Sequence, residues 1–142
     1  MTTFSRIVLL LAGLGFLGFG GWLAISPQTA LEPLGVRASA AGWIELRAFY
    51  GGLELGLAIF LFMAAWHRRW RRAGLWVVML GNAGIGLTRL ACLGLGGQFT
   101  PYFGYALAWE LGFALLAGWG LAHLPSRIVG PEPLSDAERG LV

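Results

Sequence analysis

The chain has 142 residues, of which 57% are hydrophobic and 12% charged, and its formal net charge is +3. It is much more apolar than an average soluble domain, which excludes an ordinary water-soluble protein. The single cysteine, Cys92, excludes an intramolecular disulfide and any paired-cysteine redox or zinc motif.

The first predicted element is a membrane-spanning helix over residues 7–25, a stretch without a charged residue. At about 1.5 Å per residue, this stretch nearly matches a hydrocarbon core of about 30 Å. A cleaved signal peptide is the alternative because Arg6 precedes the stretch, but the apolar run exceeds the usual signal length and no A-x-A cleavage site follows it. Pro27 and Pro33 then predict a loop with room for one short helical turn, which continues to Gly42.

Three further spans are predicted over residues 43–66, 75–95 and 102–123, with a tight connection between the last two. The chain is therefore predicted to be all-α, an integral membrane four-helix transmembrane bundle with a single domain over residues 1–124. Residues 125–142 are polar and are predicted to form a short cytoplasmic tail.

The placement of arginine predicts the orientation of the bundle. In a four-pass topology Arg6, the basic run 68–72 and Arg127 fall on one side, and Arg37 lies in a loop on the other side. Because cytoplasmic loops are rich in positive charge, we expect both termini to be cytoplasmic. Nucleic-acid binding is the alternative for the basic run, but its position between two apolar spans favours a cytoplasmic loop, so we expect no nucleic-acid partner.

Small residues recur four positions apart in the second and fourth spans. Such faces let neighbouring backbones approach closely in a bilayer, where no hydrophobic effect drives helices together. They predict tight helix packing and offer surfaces for a homo-oligomer. The pairs are Gly52 and Gly56, Ala108 and Gly112, and Ala114 and Gly118.

Five ionisable residues interrupt the apolar spans: Glu45, Arg47, Glu54, Arg89 and Glu110. A charge near the middle of a spanning helix costs roughly 2.5–3.5 kcal/mol on insertion scales, so these groups are expected to pair and to define a site. From the helical rise, Glu54 lies about 16 Å deep, near the midplane, and Arg89 and Glu110 lie roughly 9–12 Å below the external interface. Glu45 and Arg47 fall in the first turn of the second span on that same side.

Two interpretations of this cluster stay open. In the structural one, Arg89 bridges Glu110 and either Glu54 or Glu45 and locks the bundle without any chemistry. In the functional one, the three carboxylates outnumber the two arginines, and desolvation favours the protonated form of an acid without a counter-ion. Such an acid suits proton transfer, with Glu54 as the first catalytic candidate and Glu110 as the second.

The remaining polar groups of the spans are predicted to bind a ligand. Arg89 has a fixed fork of donors that suits an anionic or carbonyl-bearing headgroup, and Arg47 adds a second guanidinium. Tyr50 and Asn82 supply neutral hydrogen bonds, because Tyr50 shares a helix face with Arg47 and Asn82 shares one with Arg89. Glu45 also belongs to this predicted binding set, although it points along the glycine side of its helix.

Metal and cofactor binding are not predicted. His67 and His123 fall at span ends, and neither has a carboxylate or cysteine at ligand spacing. No serine stands in a pattern with histidine and an acid, so a hydrolytic triad is not supported either.

The segment 42–56 resembles the bacterial membrane family catalogued as domain of unknown function 4345. The likeness rests on a first helix that ends near a proline, on Leu34-Gly35, and on an E-x-R-A-x-Y-G-G signature formed here by Glu45, Arg47, Ala48, Tyr50, Gly51 and Gly52. It covers nearly the whole chain before the tail and implies a small four-helix protein of the bacterial inner membrane. The layout is more distantly similar to the DoxX-like group, whose thiol or quinone redox chemistry uses paired cysteines that this chain lacks.

Three functions are compatible with these features. The first is a non-catalytic membrane protein that binds a lipid-like, isoprenoid or quinone-type ligand at the Glu/Arg cluster. The second is a membrane enzyme that isomerises or cyclises an apolar substrate, with Glu54 and Glu110 as acid and base. The third, a proton-coupled transporter, is disfavoured because four helices offer little room for an alternating pathway.

Overall fold

The computed structural model describes residues 2–124, and the regular structure in this range is helical, without a β-strand. The predicted tail over residues 125–142 lies outside the described residues. In chain order the elements are α1 (Thr2–Ile25), α2 (Pro27–Leu31), a 3₁₀ turn (Glu32–Leu34), α3 (Ala40–Leu46), a π-helical turn (Arg47–Gly52), α4 (Leu53–Trp66), α5 (Arg71–Gly94) and α6 (Pro101–Ala122).

Four segments are long and apolar enough to cross a membrane: Thr3–Ile25, Ala40–Trp66, Arg71–Gly94 and Pro101–Ala122. The second segment runs without a break through α3, the π-helical turn and α4. These segments match the four predicted spans, so the prediction of an all-α membrane bundle is confirmed. The second span begins earlier than predicted because the Ser39 hydroxyl caps α3, accepting a hydrogen bond of 3.2 Å from the N–H of Gly42.

The bundle consists of two helical pairs. α1 packs along α4 and the π-helical turn, α5 packs along α6, and contacts between the pairs are fewer. At one end the Arg6 guanidinium lies 5.1 Å from the centre of the Trp66 ring. The start of α1 therefore lies beside the end of α4, and we call this the basic end after Arg6, Arg68, Arg69, Arg71 and Arg72.

The hydrophobic core lies nearer the basic end than the opposite end. Its buried residues come from the first half of α1, the second half of α4, the first half of α5 and the second half of α6: Val8, Leu9, Ala12, Leu61, Ala64, Ala65, Leu75, Val78, Phe113, Ala117 and Leu121. Many other large apolar side chains are exposed on the outside of the helices, as lipid-facing positions require. The opposite end, where α5 ends and α6 begins, has less core and is called the cleft end below.

Glycines set the closest approach between α1 and the second span. A Cβ at Gly51 would lie 2.7 Å from the backbone nitrogen of Ala24, and one at Gly20 would lie 2.6 Å from the Cβ of Glu54. Gly56 and Gly112, which belong to the predicted small-residue faces, would meet no atom within 4 Å. The closest contacts between α1 and the second span therefore form at Gly20 and Gly51, which the four-residue spacing did not indicate, and not at Gly56 or Gly112, which it did.

The connection between α1 and α3 is more regular than a loop. Pro27 occupies the first turn of α2, where its missing N–H costs nothing, and the 3₁₀ turn follows directly. Gly35 ends this turn with a φ of 66°, and its N–H donates to the carbonyl of Glu32 over 2.9 Å. A left-handed residue at this point favours glycine, which carries no Cβ.

Candidate functional site

The described residues contain one ion pair, and it joins α5 to α6 near the cleft end. The Nη2 of Arg89 lies 2.6 Å from Oε1 of Glu110, and its Nε donates to Oε2 over 3.1 Å. This is a bidentate arrangement in which a planar fork meets both carboxylate oxygens. Glu110 is buried, with 7% of its surface exposed, while Arg89 is only partly buried.

Helix packing holds the two partners in register. Gly86, one turn before Arg89, faces α6 so closely that a Cβ there would lie 3.3 Å from the Cβ of Glu110. The guanidinium carbon of Arg89 also lies 5.6 Å from the ring centre of Phe103 at the start of α6. The charges of Arg89 and Glu110 cancel within the pair. The Arg89 guanidinium also lies within the range of a cation–π contact with Phe103.

Arg89 borders an open cleft of about 680 Å³, which lies between the π-helical turn, the second half of α5 and the loop to α6. This volume falls in the range of about 300–1,000 Å³ that is typical of small-molecule sites. The wall is mostly apolar, with a few polar groups, a composition that is also typical of such sites. It is formed by Tyr50, Gly84, Ile85, Thr88, Arg89, Cys92, Leu93, Gly97, Gln98 and Phe103.

The guanidinium of Arg89 has donors to spare. An arginine offers five N–H groups, and the ion pair with Glu110 uses one on Nε and one on Nη2. Within residues 2–124 the other N–H groups of Arg89 make no hydrogen bond. An arginine at the cleft wall can therefore bind an oxygen acceptor of a ligand without releasing Glu110.

Tyr50 reaches the cleft through the π-helical turn. Such turns insert one extra residue per turn and occur frequently at functional sites. Tyr50 is half exposed and joins Arg89 at the cleft wall, whereas Arg47, in the same turn, donates from Nη2 to the carbonyl of Ile25 at 3.4 Å. The structure thus brings Tyr50 to Arg89 and directs Arg47 to the carbonyl end of α1, where a cation is favoured.

Two of the predicted acids lie apart from this cleft. Glu45 is exposed, and neither Glu45 nor Glu54 forms an ion pair within residues 2–124. Glu54 packs beside Gly20 of α1, and its Oε2 atom is buried without a hydrogen-bond partner among the described residues. The bridge from Arg89 to Glu54 or Glu45 is absent from the described structure, and Arg89 pairs with Glu110.

Asn82 is buried in α5 with 3% of its surface exposed. Its Nδ2 donates to the carbonyl of Val78 over 2.9 Å, within its own helix, and Asn82 does not line the cleft. His67 and His123 likewise contact carbonyls one turn earlier, at 3.1 Å and 2.9 Å. Within residues 2–124, no three side chains of histidine, cysteine, aspartate or glutamate come together in a group that could hold a metal ion.

Several residues of the cleft wall were not singled out from the sequence as ligand contacts. Thr88 precedes Arg89 directly, and Phe103 lies in the first turn of α6, the helix that carries Glu110. Gln98 is brought in by the loop after α5, which turns at Gly96 with a φ of 107°. In the sequence, a polar residue placed between two glycines and Phe99 could have indicated that Gln98 contributes to a ligand site.

Four spanning helices, with an ion pair held between two of them, define the chain as a small helical membrane protein. A family model described as Domain of unknown function (DUF4345) matches residues 4–121, so the chain belongs to this family. The residues that carried the resemblance in the sequence form the end of α3 and the π-helical turn. No curated protein and no solved structure matches the chain, and the more distant likeness to DoxX-like proteins finds no support.

Proposed function

We propose that this membrane protein binds a lipid-like molecule of isoprenoid or quinone type in the cleft beside Arg89. The observation that carries this proposal is an arginine with uncommitted donors at the wall of a mostly apolar cleft. Because the cleft end has little core, an elongated apolar ligand can occupy this space while its polar head accepts hydrogen bonds from Arg89.

The neutral state of the ion pair favours one kind of headgroup. Glu110 already compensates the charge of Arg89, so a second anion would compete with a bidentate carboxylate for the same cation. A carbonyl oxygen of a ligand needs a hydrogen-bond donor but no uncompensated positive charge in the site. A neutral carbonyl head, as in a quinone, therefore fits this site better than a carboxylate or phosphate, and the Tyr50 hydroxyl offers a second donor.

The test is a binding titration of the full chain in mild detergent, read by native mass spectrometry. The probe is a benzoquinone with one prenyl-type tail, and the control probe is its dimethoxybenzene analogue, which lacks both carbonyl groups. We expect the quinone to bind at least tenfold more tightly than the analogue. Equal binding of the two probes would contradict the proposal, because the cleft would then be selecting only an apolar tail.

Two variants relate this binding to the cleft. The double variant Arg89→Gln/Glu110→Gln removes both charges together and should lose the selectivity for the quinone. Tyr50→Phe should weaken binding roughly two- to tenfold, the value of one neutral hydrogen bond. Tyr105→Phe is the matched control, because Tyr105 is 79% exposed and does not line the cleft.

An enzymatic function remains the second candidate, and the buried, unpartnered Oε2 of Glu54 favours it. In this version Glu54 alone transfers the proton, because Glu110 is held by two hydrogen bonds from Arg89. Glu54→Gln keeps the shape of the side chain. It should leave quinone binding unchanged and abolish any conversion of an isoprenoid substrate by the purified wild type, measured by chromatography of the extracted lipid.

A further inference from the structure

The basic end carries positive charge that no acidic side chain of residues 2–124 lies close enough to compensate. Five arginines of the described range lie there, Arg6, Arg68, Arg69, Arg71 and Arg72. The acidic residues of the described range, Glu32, Glu45, Glu54 and Glu110, belong to the middle of the bundle or to its other half, and the one ion pair found in this range is at the cleft end. Excess charge of one sign at a membrane surface attracts ligands of the opposite sign.

Arg71 is the buried member of this cluster, with 7% of its surface exposed. Its Nη2 donates to the carbonyl of Ala65 over 3.0 Å and so binds the last turn of α4. Its Nε is buried and has no hydrogen-bond partner among residues 2–124. Among residues 2–124, the charged groups that act on Arg71 are Arg68 and Arg6, and both repel it. A buried guanidinium with cationic neighbours and an unused donor favours an anion.

The start of α5 adds to the same potential. Trp70 precedes the helix without a side-chain cap, no acidic residue occupies the first turn, and Arg71 and Arg72 do occupy it. A helix N-terminus carries a partial positive charge that normally favours acidic side chains, so two arginines there are unfavourable unless an anion joins them. Phosphate groups are common ligands of such termini.

Tryptophans indicate that this charge lies at the level of lipid headgroups. Arg6 lies 5.1 Å from the ring centre of Trp66, and Arg69 lies 5.3 Å from that of Trp70. Indole rings favour the headgroup region, where one edge is wet and the other apolar. Guanidinium groups that lie over these rings are therefore expected at the depth of phospholipid phosphates, and Arg68 and Arg72 are exposed around them.

We propose that the basic end is a binding site for the phosphate of an anionic phospholipid. Arg71 and the start of α5 form its floor, and the exposed guanidinium groups of Arg68 and Arg72 close around the phosphate. The acyl chains extend along the apolar surface of the adjoining helices, which distinguishes a lipid from a soluble phosphate. This phosphate site is at the opposite end of the bundle from the cleft, and it does not depend on the function proposed for the cleft.

The experiment measures lipid binding to the delipidated full chain by native mass spectrometry. The probes are phosphatidylglycerol, phosphatidylcholine with the same acyl chains, and inorganic phosphate. We expect phosphatidylglycerol to bind at least tenfold more tightly than phosphatidylcholine, with affinity that falls as salt rises. Equal affinity for the two lipids would overturn the proposal. Binding of inorganic phosphate as tight as that of phosphatidylglycerol would overturn the lipid assignment in favour of a soluble anion.

Variants locate the site within the chain. Arg68→Gln/Arg72→Gln changes two exposed side chains and should reduce phosphatidylglycerol binding at least tenfold with an unchanged circular dichroism spectrum. Arg37→Gln removes an exposed arginine outside the basic end and should leave the binding unchanged. Full retention of phosphatidylglycerol by the double variant would contradict the assignment. Arg71→Lys keeps the charge and loses the fork, so it should weaken binding while preserving the preference for the anionic lipid.

Discussion

At the scale of single residues, the pair of Arg89 and Glu110 decides the character of the cleft. Its two hydrogen bonds satisfy both carboxylate oxygens and leave donors of Arg89 free. A buried charge that loses its partner is costly, while a pair that is removed together leaves no uncompensated charge. The two partners are therefore expected to be strongly coupled in stability.

This coupling predicts an order of stabilities. Arg89→Gln should lower the free energy of unfolding by about 2–3 kcal/mol, somewhat less than is typical of a fully buried pair because Arg89 is partly exposed. The double variant Arg89→Gln/Glu110→Gln should be more stable than Arg89→Gln alone. Thermal unfolding in detergent measures the order, with Arg37→Gln as control. Additive losses in the double variant would show that the two residues act independently.

At the scale of elements, the π-helical turn and its glycines form the joint between α1 and the second span. Gly51 is buried against the backbone of Ala24, whereas the next residue, Gly52, is exposed and a Cβ there would come no closer than 4.0 Å to another atom. The extra residue of the turn changes the direction of the side chains that follow it. Tyr50 thereby reaches the cleft while Arg47 binds the end of α1.

The two glycines give a matched prediction. Gly51→Ala should destabilise the protein by about 1–3 kcal/mol, because the new methyl group would overlap rigid backbone of α1. Gly52→Ala should be nearly neutral, since the space beside it is open. Thermal unfolding of both variants in the same detergent checks the difference. Equal stabilities would mean that α1 and the second span do not approach as closely as the structure places them.

At the scale of the whole molecule, the bundle is asymmetric along its length. The buried core lies toward the basic end, and the cleft lies at the other end. Cys92 is exposed and lies on the same cleft wall as Tyr50, although the two residues belong to different spans. This arrangement allows a direct chemical test of how the pairs meet.

A cross-link tests this arrangement. Tyr50→Cys should be joined to Cys92 by a short thiol-reactive bifunctional reagent in native membranes, because both positions line one cleft. Phe49→Cys is the matched control, since Phe49 is 65% exposed and does not line the cleft. The readout is the mobility of the cross-linked chain on a denaturing gel. Similar cross-linking of both variants would contradict the placement of Tyr50.

The sequence by itself determined the number, approximate bounds and apolar character of the four spans, because helix formation and compatibility with a lipid core depend on composition and length within one segment. It also singled out Arg89 and Glu110. Ideal helix geometry predicted Glu110 as one partner of Arg89 but could not decide whether Glu54 or Glu45 would join it, since this depends on how helices rotate and cross. Only the tertiary structure decided it.

The same physical reason separates the side chains of the second span. An ideal α-helix places Arg47, Tyr50 and Glu54 on one face, but the π-helical turn breaks that periodicity. The turn includes Gly51, which packs against Ala24 of α1, a contact between residues far apart in the chain. Local sequence therefore established which residues form the helices, and packing between helices decided which of their polar groups share the cleft.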